Sequence, residues 1–322
     1  MKFSAHQIIW NIRHLAIVVF LYISNPASAA TQDTHGADQF GADYAFLDLM
    51  ALSTDFAASH YRIDNDSDRV YIDIYRLPKR FTLAQTRTHT LKLEAALAYQ
   101  DTRETVSTYS DANEYIDAQW ITQGFSLGVI DHYQFGPHID LVPSIRLGIT
   151  RMQNIANYYG TLTQALAALY DGTLLNWTLN ARLVNTGLGL RYHWKYQERE
   201  NAVRATIHRI SVISYNESNA VLAFRENANL LNTNAEFIVQ THAVFSQRRI
   251  DMIYLLGNNY FFGENRHTLG NVTSYQAGIG AEISLKPNNQ RLQSTSYLRL
   301  YAQLQWAGNL RSAMLSLGYH SD

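Results

Sequence analysis

The 322-residue chain has no cysteine, no excess of charge of either sign and no long apolar run. Without cysteine it has no disulfides, no cysteine nucleophile and no zinc-thiolate site. Its 26 basic and 27 acidic residues give a formal net charge of -1, so nothing draws it to nucleic acid. A mean hydropathy of -0.21 excludes a bundle of transmembrane helices, because such bundles are far more apolar.

Aromatic side chains, by contrast, are abundant, and tyrosine alone accounts for 21 residues. Tyrosine suits a membrane interface, where its ring is half buried and its hydroxyl stays hydrated. The hydropathy leaves a membrane β-barrel open, because only alternate residues of each strand face lipid.

The segment Val272–Leu285 shows the pattern on which this interpretation rests. From Tyr275 onward its odd positions are apolar or small, and its even positions are polar or glycine. This alternation predicts a strand with one apolar and one polar face. Soluble strands usually stop after about five or six residues, whereas a tilted strand crossing a bilayer needs about nine to eleven. The segment is long enough to cross a membrane.

Similar segments follow one another from Val70 to the end of the chain, and between eleven and thirteen can be counted. Bacterial barrels have even strand numbers, which favours twelve. We therefore predict an all-β fold, a transmembrane antiparallel up-and-down β-barrel of about 12 strands, with a short N-terminal helix in the lumen. A periplasmic or secreted β-sandwich is the alternative, but its strands would be shorter.

The first thirty residues resemble a secretory signal peptide: a basic start, the apolar run Leu15–Ile23 and the small residues Ala27–Ala29. Cleavage is predicted at Ala29 or Ala30. An uncleaved anchor is the alternative, but the apolar run is too short to span a bilayer. The predicted organisation is a signal peptide over 1–30, a leader with an amphipathic helix over 31–69 and an outer-membrane barrel over 70–322.

The leader helix is predicted over Asp43–Ser59, where apolar residues recur at intervals of three and four. A first strand through Ala45–Ala51 remains an alternative. We expect the helix to pass the small inner residues of Val272–Leu285, with Glu282 as its polar partner.

Three further segments depart from simple alternation. Tyr158–Tyr170 has helical spacing and predicts a short helix in a long loop. A strand is predicted at Ala220–Phe224. The apolar parity changes between Leu183 and Leu188, which predicts a tight turn or bulge near residues 185–187.

With this layout, the chain resembles the solitary outer-membrane autotransporter-like β-barrel family of Gram-negative bacteria. The resemblance implies outer-membrane localisation and contact with outer-membrane lipid and lipopolysaccharide. It also implies the barrel assembly machinery and periplasmic chaperones as partners during biogenesis. Autotransporter translocators normally carry a large upstream passenger, whereas only some forty residues separate the predicted signal peptide from Val70, so no passenger is expected. The assembly signal would be Leu315, Leu317 and Tyr319, although three residues follow it.

No arrangement of residues predicts catalysis, so no catalytic, cofactor-binding or metal-binding residue is assigned and no cofactor is expected. His208 and Ser211 would fall on opposite faces of one strand, which excludes a nucleophile pair. Asp131 and His132 fit an ordinary strand end. The histidines also lack metal-ligand spacing.

Charged side chains on the polar faces are the candidates for the lumen. They are Glu94, Arg146, Arg204, Glu282 and Arg299. Their mixed sign predicts mutual pairing in a narrow lumen and argues against a strongly ion-selective pore. The predicted function is a non-enzymatic outer-membrane barrel resembling a translocator without its passenger, in a structural or transport-type role. A small general-diffusion channel is the first alternative, and an outer-membrane lipid hydrolase is the second.

Overall fold

The computed structural model describes residues 56–64, 69–107, 113–196, 199–262, 273–285, 296–307 and 310–321. Twelve antiparallel strands form one closed barrel, in which each strand pairs with its neighbours in sequence. The strands are β1 Phe56–Asp64, β2 Arg69–Gln85, β3 His89–Ser107, β4 Tyr115–Gln134, β5 Ile139–Tyr159, β6 Thr178–Tyr196, β7 Arg199–Tyr215, β8 Arg225–Phe245, β9 Arg248–Phe262, β10 Thr273–Ser284, β11 Ser296–Ala307 and β12 Leu310–Ser321. The predicted all-β, antiparallel up-and-down barrel and the choice of twelve strands are confirmed.

The first and last strands close the ring. Phe56 of β1 pairs with Leu317 of β12, and the ladder continues to Ile63 opposite Leu310. Closure leaves no free sheet edge, so the backbone groups of both strands are paired without water. This is the property that lets a sheet stand in a bilayer.

The barrel is polar inside and apolar outside. On β10 and β11, Ile279, Leu300 and Leu304 are about half exposed or more, whereas Ser274 and Glu282 on the inner face are 1% exposed. Strand side chains alternate between faces, so the period of two in the sequence becomes one lipid face and one lumen face. The outer band is rich in leucine, isoleucine and tyrosine, as a lipid-facing surface requires.

Loop lengths give the orientation. The end of the barrel that carries both termini has connections at 86–88, 135–138, 197–198, 246–247 and 285–295, and all but the last have four residues or fewer. The opposite end carries the longer segments 160–177, 216–224 and 263–272. Outer-membrane barrels have short periplasmic turns and long extracellular loops, so the end with the termini is periplasmic.

The longest described loop contains helix α1, Thr161–Tyr170. This confirms the helix predicted from the spacing in Tyr158–Tyr170. The carboxylate of Glu114 accepts hydrogen bonds from the backbone amides of Thr163 (2.7 Å) and Leu162 (3.3 Å), at the first turn of the helix. These amides have no partner within the helix, and a carboxylate there also complements the helix dipole.

Two predictions about the irregular segments are wrong. Ala220–Leu222 is a 3-10 helix rather than a strand, and the side chain of Asn219 accepts a hydrogen bond from the Val221 amide at its start. β6 runs unbroken through residues 185–187. Leu183 is 1% exposed on the inner face and Leu188 is 46% exposed on the outer face. The parity changes because apolar residues line the lumen at one end of β6 and face lipid at the other.

The start of the barrel also differs from the prediction. β1 begins at Phe56, so the predicted leader of 31–69 contains the first strand and the barrel does not start at 70. A helix over Asp43–Ser59 is therefore wrong for residues 56–59, which are extended and paired to β12 and β2. The rest of that helix, the competing strand Ala45–Ala51 and the cleavage positions Ala29 and Ala30 lie outside the described residues.

None of the helices in the described part of the chain is both long enough and apolar enough to span a membrane.

Candidate functional site: a lumen filled by its own side chains

The extracellular half of the lumen contains an apolar cluster among buried polar side chains such as Gln100 and Asn259. Val70, Ile72 and Ile74 at the extracellular end of β2 form one buried cluster with residues from the other side of the barrel. The other members are Trp177, Leu179, Ala181, Leu183, Ile210, Val212, Leu230 and Phe261. Ile72, Ile210 and Leu230 are completely buried.

This cluster spans the barrel. Its buried members lie on β2 and on the segment from Trp177 through β9, and β8 stands halfway around the ring from β2. Half-buried Ala98, Trp120 and Met152 pack against it from β3, β4 and β5. Side chains from opposite walls therefore meet inside the barrel. Such an apolar constriction opposes the entry of water and ions by dewetting.

The periplasmic half of the lumen is charged, and its first centre is Glu94 on β3. This carboxylate is 1% exposed and binds three arginines. Arg76 Nη2 lies 3.0 Å from Oε1, Arg80 Nη2 lies 2.7 Å from Oε2, and Arg146 Nη2 lies 2.6 Å from Oε1. One carboxylate thus joins strands β2, β3 and β5 through charge-assisted hydrogen bonds.

Gly128 explains how Arg146 reaches Glu94 from two strands away. Glu94 is in register with Gly128 on β4, and Gly128 is in register with Arg146 on β5. A Cβ atom at Gly128 would lie 3.1 Å from the Ile145 carbonyl oxygen and 3.3 Å from Arg146 Cβ. The missing side chain therefore leaves the path along which the guanidinium of Arg146 crosses β4.

A second charged centre joins the strands on the other wall. Glu282 on β10 binds Arg199 of β7 and accepts a 2.5 Å hydrogen bond from Arg299 Nε of β11. Arg199 Nε also lies 3.2 Å from Asp251, and the Arg199 guanidinium stacks 4.2 Å from the centre of the Tyr297 ring. Arg299 reaches Glu236 at 3.1 Å, and Arg249 reaches Asp251 at 3.1 Å.

A third centre lies near the periplasmic ends of β5, β6 and β7. Arg191 donates to Asp140 (2.8 Å) and binds Glu200, and His193 lies 3.6 Å from each of these carboxylates. The three centres together form a charged belt below the apolar cluster. Because the positive and negative side chains of this belt pair with one another, little net electric field is left to select one kind of ion.

The five residues predicted for the lumen all stand on inner-face positions of their strands. Glu94 and Arg146 belong to the first centre, and Glu282 and Arg299 belong to the second. Arg204 is half-buried on β7, in register with Arg191 of the third centre. Sequence reasoning missed Arg76, Arg80 and Arg199. Arg76 and Arg80 could have been predicted, because they occupy the same even-numbered face of β2 as Val70, Ile72 and Ile74. Arg199 is the first residue of β7, where the alternation does not yet indicate a face.

The small inner residues of β10 have a different use from the one expected. A Cβ atom at Gly280 would lie 2.3 Å from Tyr301 Cβ, and one at Gly278 would lie 3.2 Å from Gln303 Cβ. The two glycines therefore allow β11 to approach β10 closely, and the rest of the helix that we predicted beside them lies outside the described residues. Glu282, predicted as the polar partner of that helix, is engaged by Arg199 and Arg299.

The residues considered for catalysis have other contacts. His208 is buried, and its Nδ1 lies 3.1 Å from Asn185 Oδ1. Ser211 lies on the outer face of β7, whereas His208 lies on the inner face of the same strand. Asp131 pairs with His89 at 3.1 Å on the outer face, opposite in parity to His132. No group of three histidine, aspartate or glutamate residues in the described segments could hold a metal ion.

The predicted assembly signal lies on the last strand. Leu315 and Leu317 face outward on β12 and are 54% and 44% exposed, and Tyr319 belongs to the same strand. Recognition of these residues by the assembly machinery stays a prediction.

A closed antiparallel barrel with an apolar exterior, short periplasmic turns and a polar interior defines the class of transmembrane outer-membrane β-barrels. The sequence matches the family described as the solitary outer membrane autotransporter β-barrel domain over residues 56–293, and the chain belongs to that family. The resemblance inferred from the sequence is thereby confirmed. The match begins at the first residue of β1.

Solved structures with the same fold include two autotransporter domains. The translocator domain of NalP from Neisseria meningitidis superposes with a TM-score of 0.54 at 11% identity, covering 88% of this chain and 95% of that one. The transport unit of AIDA-I from Escherichia coli gives a TM-score of 0.52 at 12% identity, with coverages of 88% and 98%. At these identities the similarity concerns the fold alone. No curated protein sequence matches the chain.

Proposed function

We propose that the protein is a non-enzymatic outer-membrane barrel that stays closed to ions at rest and serves a structural role. The observation that carries this proposal is the apolar cluster that joins β2 to β6–β9 across the lumen, above a belt of paired charges. A general-diffusion porin needs a continuous water-filled path, which these two layers oppose.

Conductance in planar lipid bilayers tests the closed state. The wild-type barrel is expected to give no stable ionic current. The double variant Ile72→Ser/Leu183→Ser is expected to conduct, because hydroxyl groups allow water to wet the constriction. Leu147→Ser is the matched control: Leu147 is 55% exposed on the lipid face, so this change should leave the lumen closed.

Two results would contradict the closed state. Steady current through the wild-type barrel would instead support the small diffusion channel. A silent double variant, shown by heat-modifiable gel migration to be folded, would mean that the apolar cluster does not control closure. Heat-modifiable migration serves as the folding check because a closed barrel resists unfolding by detergent, and so migrates differently on a gel, until it is heated.

The leader offers a second route to closure, and its deletion separates the two. Removing residues 43–55 leaves β1 intact, since β1 begins at Phe56. If a leader helix plugs the lumen, this deletion opens current. If the apolar cluster and charged belt close it, the truncated barrel stays silent, which is the result we expect.

The non-enzymatic part of the proposal rests on the contacts of His208 and on the outward parity of Ser211. Purified protein is expected to release no fatty acid from phospholipid or lipid A. Hydrolysis that is lost in His208→Ala would support the lipid-hydrolase alternative instead.

A further inference from the structure

The outer wall of the barrel carries a shallow groove across strands β2–β7. Its volume is about 610 Å³, and it is open to the surroundings. Its apolar floor includes Leu77, Leu97, Phe125 and Ile149, and its polar edge includes Gln123 and Arg151. All six side chains have the parity of the lipid face. The groove therefore continues the surface that contacts lipid.

A line of ring and polar residues follows the upper edge of this groove. In register from strand to strand it runs Tyr75, Tyr99, Gln123, Arg151, Asn180 and Tyr215. Arg182 stands next to it, one position below Asn180 on the same face of β6, with its guanidinium 4.9 Å from the centre of the Tyr215 ring. Two exposed arginines thus occupy neighbouring strands where the apolar band ends.

The depth of Arg151 corresponds to the outer membrane interface. Arg151 comes twelve residues after Ile139, which begins β5 at the periplasmic end. At about 3.3 Å per residue and a tilt of about 40°, this places it roughly 30 Å above the periplasmic turns. The apolar band of such barrels is about 25 Å tall. The guanidinium therefore lies at the level of lipid headgroups in the outer leaflet.

Neither arginine is neutralised within the described part of the barrel. Every charged centre of the lumen contains carboxylates, but no ion pair between described residues involves Arg151 or Arg182. An outward arginine at the membrane interface has a strong preference for phosphate, which it binds by paired hydrogen bonds. Tyrosine hydroxyl and glutamine or asparagine amide groups beside it can bond to sugar hydroxyls.

We infer that this groove binds a phosphorylated glycolipid of the outer leaflet, of the lipopolysaccharide type. Arg151 and Arg182 hold a phosphate, Gln123 and Asn180 bond to the sugar, and an acyl chain lies along Leu97, Phe125 and Ile149. Both halves of the site follow from the observed surface: the positive charge matches an anionic headgroup, and the apolar floor continues the lipid-facing band.

Retention of lipid by the full mature protein in detergent, measured by native mass spectrometry, tests the inference. Purified lipopolysaccharide is the probe, and its dephosphorylated form and phosphatidylglycerol are the comparison lipids. The variant Arg151→Gln/Arg182→Gln is expected to bind lipopolysaccharide at least about tenfold more weakly than the wild type. Arg311→Gln is the matched control, because Arg311 is also outward and exposed, on β12. It should bind like the wild type.

Three results would overturn the inference: unchanged lipopolysaccharide binding by the double variant, an equal loss in Arg311→Gln, or equally tight binding of the dephosphorylated form. Phosphatidylglycerol bound as tightly as lipopolysaccharide would also overturn it, because the site would then recognise a generic anionic lipid. The surface arginines make no structural contact inside the lumen, so loss of binding is separable from loss of the barrel, which heat-modifiable migration reports.

Discussion

Glu94 is the residue on which the charged half of the lumen depends most. It is 1% exposed and is shared by Arg76, Arg80 and Arg146. Burying one charge is costly unless it is paired, and three guanidinium groups depend on this carboxylate for compensation. Gly128 makes the arrangement possible by leaving the path of Arg146 clear. The buried glutamate on β3 is thus combined with a glycine on β4 that leaves room for Arg146.

Replacing Glu94 by glutamine should destabilise the barrel strongly. The substitution keeps the shape and removes the charge, which leaves the arginines without their common partner. Breaking a buried ion pair from one side costs about 3–5 kcal/mol. The free energy of unfolding in urea, measured in detergent micelles, reports the change.

Glu200→Gln is the control for this substitution. Its side chain is 46% exposed at the rim, where it pairs with Arg191. An exposed pair contributes at most about 1 kcal/mol, so this variant should unfold nearly as the wild type does. Equal losses in the two variants would mean that the burial of Glu94 has no special weight.

At the scale of single elements, helix α1 depends on a carboxylate from a different loop. Glu114 accepts hydrogen bonds from the amides of Thr163 and Leu162, and these bonds lower the pKa of Glu114 below its ordinary value of 4.5. A carboxyl group whose pKa is lowered on folding stabilises the structure above its unfolded pKa. That stabilisation is lost as the pH falls through the lowered folded value.

The first turn of α1 is therefore expected to loosen in acid. Hydrogen exchange at the Leu162 and Thr163 amides should be slow at neutral pH, once corrected for intrinsic rates, and should accelerate below about pH 4.5, as Glu114 becomes protonated. Glu114→Ala should show fast exchange at every pH. Wild-type protection that stays constant down to pH 2 would show that another group holds the helix.

The strands themselves show how far the sequence pattern is informative. Alternation in Val272–Leu285 predicted β10 and its lumen face, because lipid outside and water or charge inside require opposite side chains at alternate positions. β6 was misread because Leu183 is apolar yet faces the lumen, and periodicity cannot distinguish an apolar lumen from lipid. β1 was missed because its nine residues, Phe56–Asp64, alternate weakly.

The contacts that define the lumen were less predictable than the strands. The pairing of Glu282 with Arg299 follows from the register of β10 and β11 and needs only a hairpin. Its pairing with Arg199 joins strands that are distant in sequence, so it depends on the curvature of the closed ring. The same holds for the meeting of Ile72 with the wall formed by β6–β9. Alternation predicts whether each side chain faces the lumen or the lipid. It does not predict which strands contact each other across the lumen.

At the scale of the whole molecule, the barrel combines a lipid-facing exterior with two internal layers of opposite character. The apolar layer lies in the extracellular half, and the belt of ion pairs lies in the periplasmic half. An apolar layer excludes water without needing hydrogen-bond partners, whereas the belt binds the strands through directional contacts. If the lumen is closed as proposed, these two layers exclude water and ions from it.

Water access to the apolar layer is the most direct test of this account. The chain has no cysteine, so a single Ile210→Cys variant provides one thiol at a completely buried lumen position. Leu174→Cys, at a residue that is 65% exposed in the α1 loop, provides the accessible control. Both variants are labelled with a charged, membrane-impermeant thiol reagent, first as folded barrels in lipid vesicles and then after unfolding in urea. If the lumen is closed, Leu174→Cys reacts at once and Ile210→Cys reacts only after unfolding. Labelling of Ile210→Cys in the folded barrel at a rate close to that of Leu174→Cys would show a water-filled lumen and contradict the closed state.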